Sequence, residues 1–102
     1  MADTNRTRNI DWASEESYWR ENFRTRPYAD ETRGFDFYRP GYQYGYESAE
    51  RIGRRPWEEA EPDLRRDWDR YEGRGESTWE EIKDSVKDAW HRITGEEGRP
   101  RR

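Results

Sequence analysis

Apolar and aromatic side chains recur every three or four residues in four stretches of the chain, and each recurrence predicts a helix with one buried face. In the first stretch Trp12, Trp19 and Phe23 fall roughly on one side with Tyr18 beside them. Ser14 with Glu15 and Glu16 supplies an N-cap and an acidic first turn, and Pro27 pushes Arg26 out of helical angles, so a helix is expected over 14–26. Residues 27–35 hold Pro, Asp, Thr and Gly and read as a loop. Asp36 then reads as the N-cap of a second helix over 36–52, with Pro40 in its first turn and a stripe of Tyr38, Tyr42, Gly45, Tyr46, Ala49 and Ile52. Gly41 and Gly45 weaken that helix by about 1 kcal/mol each relative to Ala, so a second backbone or ring is expected to press against them.

Gly53 to Pro56 breaks the pattern, after which Trp57, Ala60, Leu64, Trp68 and Tyr71 resume it. Pro62 inside that run predicts a short turn over 56–59 and a helix over 61–72 with the proline at its first position. The last stripe, Trp79, Ile82, Val86, Ala89 or Trp90, and Ile93, predicts a helix over 78–94, opened by a Ser77–Glu80 capping box and stopped at Gly95. Glu80 with Lys83, and Asp84 with Lys87 and Asp88, read as solvated pairs on its outer face. The expected fold is all-α: about four short helices in a small aromatic-cored bundle occupying 12–95, with disordered tails at 1–11 and 96–102. Short connections favour antiparallel neighbours. The expected core is Trp19, Tyr38, Tyr42, Tyr46, Leu64, Trp68, Trp79, Ile82, Val86 and Trp90.

Composition sharpens this picture. The 102 residues allow one domain, and hydrophobic residues at 28% against charged residues at 43% would alone describe a chain unable to repay its ordering entropy. Six Trp, seven Tyr and three Phe oppose that reading, because each ring buries roughly 150–250 Å². The core is therefore expected to be aromatic, with indole and phenol tips that need polar partners. Two of the twenty basic residues, Lys83 and Lys87, are lysines and the rest are arginines. Arginine stacks on rings and forks onto carboxylates, so a network of Arg, aromatic and acidic groups is one reading, and codon usage in a GC-rich genome is the other.

The blocks YRPGYQYGYESA (38–49), GRRPWEEAEPDLRRDW (53–68) and STWEEIKDSVKDAWHRITG (77–95), in that order and spacing, resemble an uncharacterised family of small bacterial proteins associated with stress domains. YWRENFRTRPY (18–28) fits the opening of that family more loosely. The C-terminal helix is separately similar to CsbD-like stress proteins over about seventeen residues. The resemblance implies a role in stress tolerance and carries no catalytic residues.

Candidate chemistry is sparse. Without cysteine there is no disulfide, thiolate zinc site or Cys nucleophile, and with His91 as its one histidine the chain offers little to a metal or to general base catalysis. Glu15 with Glu16, Glu58 with Glu59 and Glu61, and Glu80 with Glu81 read as acidic first turns and solvated faces rather than a glycosidase pair in a cleft. No calcium loop pattern, signal peptide or bilayer-length apolar run occurs, so no cofactor, no metal and no membrane are expected, and the cytoplasm is the default location.

Interleaved basic and aromatic residues could stack single-stranded bases, but the net charge of −4 is mixed along the chain and opposes a basic face for nucleic acid. A hydrophilic desiccation or aggregation shield is a further alternative, and it needs no aromatic stripe. The favoured expectation is a non-enzymatic, stress-associated protein that binds a protein partner or itself. Its expected contacts are Arg39, Tyr44, Arg54, Arg55, Trp57, Arg65 and Arg66, because Trp, Tyr and Arg dominate binding hot spots.

Overall fold

The computed structural model describes residues 11–95 except 74 and 76. The expected tails at 1–10 and 96–102 lie outside these residues. Four helices form the described domain: α1 (Trp12–Asn22), continued by a 3-10 turn (Phe23–Thr25), α2 (Phe35–Ile52), α3 (Trp57–Trp68) and α4 (Trp79–Thr94). The fold is all-α around an aromatic core, and all ten side chains expected in that core are buried.

Each helix start departs from the sequence expectation, for a reason its contacts supply. Asp11, not Ser14, caps α1, its carboxylate accepting the Ser14 N–H at 2.9 Å, so residue 11 belongs to the domain. The 3-10 turn takes over at Phe23, which is buried and faces Phe35 and Tyr38. Gly34 rather than Asp36 precedes α2, because Phe35 must sit on the first turn to reach Phe23 and Tyr42 at ring distances of 5.7 and 6.0 Å. Thr78 and Glu81, not Ser77 and Glu80, form the capping box of α4. Ser77 is buried instead, its carbonyl taking the Trp68 Nε1–H at 2.9 Å. Gly95 closes α4 with φ of 73°, the left-handed angle that a glycine C-cap adopts freely.

α3 is the largest correction. It begins at Trp57, four residues earlier than expected, and continues through Pro62 to Trp68. Pro62 removes the donor that would serve the Glu58 carbonyl, but both residues are exposed and water can reach that carbonyl. In return, Trp57, Ala60, Leu64 and Trp68 are buried on one stripe.

The packing is dominated by α2 against α4. Gly41 lies against Ile82 and Ser85, Gly45 against Val86 and Ala89, and Gly53 against Thr94, so residue numbers rise together and the two helices run parallel. A methyl group at Gly45 would overlap the Val86 carbonyl oxygen, and one at Gly41 would overlap Ile82 and Ser85. Gly41, Gly45, Ala49 and Gly53, four apart, make a shallow trough on α2 that receives the ridge of α4. A second backbone thus presses on the glycines as expected. The antiparallel arrangement expected of chain neighbours holds, and it leaves α2 and α4, separated by α3, parallel. α1 opposes α2 through Trp12–Tyr46, Trp19–Tyr42 and Phe23–Tyr38 ring pairs, and α3 opposes α4 through Trp57–Trp90 and Trp68–Trp79.

Most ring tips find partners. Tyr44 donates to the Leu64 carbonyl at 2.8 Å and Tyr71 to Glu47 at 3.2 Å. The indole N–H groups of Trp12 and Trp19 and the Ser48 hydroxyl are buried with none among the described residues. Around the outside, arginines lie over rings: Arg92 over Tyr18 at 3.5 Å, Arg33 over Phe37 at 3.9 Å and Arg20 over Phe35 at 4.7 Å. The same three side chains also contact Glu15, Glu81 and Glu16. Arginine therefore joins rings to carboxylates across the surface of this core.

A basic groove at the shared C-terminal ends of two helices

The parallel sense of α2 and α4 brings both C-termini to one end of the molecule, where unpaired carbonyls make two negative dipole ends. Basic residues collect there: Arg51 in the last turn of α2, His91 and Arg92 in the last turn of α4. Between the two ends lies a groove of about 660 Å³. Ala49, Ile52 and Ile93 form its apolar floor, while Arg51, Arg54 and Arg55 with Glu50 stand around it. Ile52 and Ile93 are the last members of their helical stripes and are half-buried, because no further turn of the opposing helix covers them.

The arginines differ in their commitments. Arg55 reaches Asp63 at 3.2 Å and the Glu59 carbonyl at 2.8 Å, which ties the α2–α3 link to α3. Arg51 and Arg54 are exposed and their side chains make no ion pair or hydrogen bond with the described residues. Glu50 is drawn toward Tyr46, whose hydroxyl is held above its ordinary range by burial and by the nearby Glu50 carboxylate.

Of the seven residues expected to contact a partner, the structure brings Arg54 and Arg55 to this groove. Tyr44 and Trp57, each 5% exposed, lie in the core. Tyr44 packs on Trp68 and Tyr71, and Trp57 on Trp90, so neither ring is presented to a partner in this arrangement. Arg39 is held by Glu16 at 2.7 Å and lies over Trp12. Arg65 and Arg66 occupy the outer face of α3, where Arg65 approaches Glu80 and Arg66 contacts Asp63 and Asp67. Glu80 opens α4 and the groove closes it, a helix length of roughly 24 Å away. Arg55 and Arg66 share the Asp63 carboxylate, each at 3.2 Å, while Arg54 lines the groove and Arg65 leans toward the start of α4. Arg51 and the stripe residues Ile52 and Ile93 meet only through the parallel pairing of α2 and α4.

A second polar constellation faces a smaller hollow of about 360 Å³ beside α4. Asp88, expected as a solvated residue, is instead largely buried and receives Arg26 at 2.7 and 3.2 Å and the Tyr28 hydroxyl at 2.7 Å. Tyr28, whose hydroxyl donates its hydrogen bond to that carboxylate, accepts from Tyr42 at 2.7 Å. Burial, then the neighbouring phenol and carboxylate, push the Tyr28 hydroxyl far above its ordinary range, and burial does the same to Tyr42. Phenols held so firmly protonated brace the loop after the 3-10 turn against α2 and α4.

The remaining candidates do not converge. His91 is half-buried with its ring toward Trp57. Glu15 is buried against Arg92 at 2.8 Å, whereas Glu58, Glu59, Glu80 and Glu81 are exposed on different helices. Among the described residues no group of three or more His, Asp and Glu side chains is placed to hold a metal ion, and no helix is long and apolar enough to cross a membrane. Comparison with protein-family models, with curated proteins and with solved structures finds no match.

Proposed function

We propose that this chain is a non-enzymatic, stress-associated interaction protein that acts by holding a protein partner. The observation that carries the reading is the groove at the end of α2 and α4, where two unpaired arginines stand over an apolar floor. Among the described residues the other arginines are already spent on rings and carboxylates, so this groove offers what the rest of the described surface does not: charge without a partner beside uncovered aliphatic area. The stress association rests on the family resemblance of the 38–49, 53–68 and 77–95 blocks, and the cytoplasm is the default setting for a chain in which no described helix is long and apolar enough to cross a membrane.

The contact surface in this reading is arginine and aliphatic rather than aromatic, since the rings are consumed by the core. The test combines light scattering of the purified chain with affinity capture from stressed cells. One or more proteins retained in stoichiometric amount is the expected result. A strict monomer that retains nothing overturns the reading.

A further inference from the structure

We propose that the groove between the C-terminal ends of α2 and α4 seats an acidic peptide segment of a partner protein, its carboxylates on Arg51 and Arg54 and an aliphatic side chain against Ile52 and Ile93. This rests on the interaction reading above and gives the partner a chemistry.

Charge complementarity selects the occupant. Basic side chains of the described domain are mostly matched to carboxylates, from Arg26 on Asp88 at 2.7 Å to Lys83 on Glu80 at 3.1 Å. Among those without a carboxylate, Arg24 lies over the Phe23 ring and Lys87 stands beside Asp84 at the smaller hollow. Arg51 and Arg54 are different, because one closes α2, the other stands in the turn just after it, and both line the larger groove. A guanidinium presents a planar fork that takes a carboxylate through two parallel N–H bonds. Two such forks lining one groove match the several carboxylates of an acidic peptide.

The floor and the remaining walls narrow the choice further. Ile52 and Ile93 leave aliphatic surface uncovered between the arginines, which a leucine or isoleucine of the guest would remove from water. A volume of about 660 Å³ falls within the range of pockets that enclose a small ligand, and suits a few residues rather than a domain. A phosphate backbone has no aliphatic side chain to set on Ile52 and Ile93, whereas a peptide that alternates acidic with apolar side chains has both groups the groove takes.

The test titrates the full chain into a fluorescein-labelled peptide of alternating Glu and Leu, its Gln and Leu counterpart, and a labelled single-stranded oligonucleotide. The Glu-bearing peptide is expected to bind, with the affinity falling about tenfold or more, a loss of about 1.4 kcal/mol, both in R51Q/R54Q and on replacing its Glu by Gln. R24Q/K87Q, which removes the same charge from unpaired residues elsewhere, is expected to bind as the parent does. Equal losses in both double variants would reduce the effect to net charge and overturn the proposal, as would tighter binding of the oligonucleotide. Self-association that R51Q/R54Q abolishes would give the groove to a second copy and likewise overturn it. Circular dichroism of both variants confirms that these exposed substitutions leave the helices intact. Capture from stressed cells separates the two levels: a partner held equally by R51Q/R54Q and the parent sinks the groove and leaves the interaction reading, whereas no partner on either sinks the reading itself.

Discussion

At the scale of single residues, stability turns on where a side chain is absent. Gly45 sits where a methyl group would meet the Val86 carbonyl oxygen, a backbone atom that cannot rotate aside. Gly45→Ala should therefore destabilise the protein by about 2 kcal/mol, overpacking outweighing the roughly 1 kcal/mol gain in helix propensity. Gly34 meets nothing within 4 Å and has an extended backbone at the start of α2 without a side-chain cap. Gly34→Asp should add about 0.5 kcal/mol through a cap and a favourable charge at the helix start. Urea unfolding of the two variants checks both signs; a stabilised Gly45→Ala would mean that the helices do not approach as closely as described.

At the scale of elements, α3 is the helix whose sequence argues most against its structure. Pro62 lies in its interior and forfeits one backbone bond, a penalty of up to about 3 kcal/mol that burial of Trp57, Ala60, Leu64 and Trp68 offsets. Pro62→Ala should recover about 1–2 kcal/mol and raise the melting temperature by several degrees, because residue 62 is exposed and nothing depends on the ring. A lower melting temperature would instead give the proline a role in setting the direction of α3. The same helix shows what the sequence could disclose. Stripes at three- and four-residue spacing revealed the helices and their core, since burial follows periodicity. Helix starts were misread wherever a tertiary contact overrode a local preference: Phe35 reaching Phe23, Trp57 reaching Trp90, Ser77 taking Trp68. The groove was half legible. Arg54 and Arg55 stood out as charges, but Arg51, Ile52 and Ile93 join them only because α2 and α4 lie parallel, a relation that no local pattern encodes. Tyr44 and Trp57 misled because a ring suited to binding is equally suited to a core.

At the scale of the whole molecule, buried phenols tie the fold to pH. Burial pushes Tyr44 up to about 12 from an ordinary 10.0, and Tyr28, Tyr42 and Tyr71 are raised further in the same direction. The folded state thus keeps protons that the unfolded chain releases. This contribution is complete below pH 10 and is lost as the pH climbs toward 12, at about 1.4 kcal/mol per pH unit for each such phenol. Helical circular dichroism and tyrosinate absorbance should change together above pH 10. Ionisation of these four phenols with the helices intact would contradict their burial. The parallel pairing has a kinetic consequence as well. α2 and α4 meet only after the chain has travelled out along α3 and back, so the contact that holds most of the structure closes a long loop and carries its entropy. Antiparallel hairpins of α1 with α2, and of α3 with α4, can form early from near neighbours. The slow event is then their union, with the glycine trough admitting the ridge of α4 as the last fit between two halves already made.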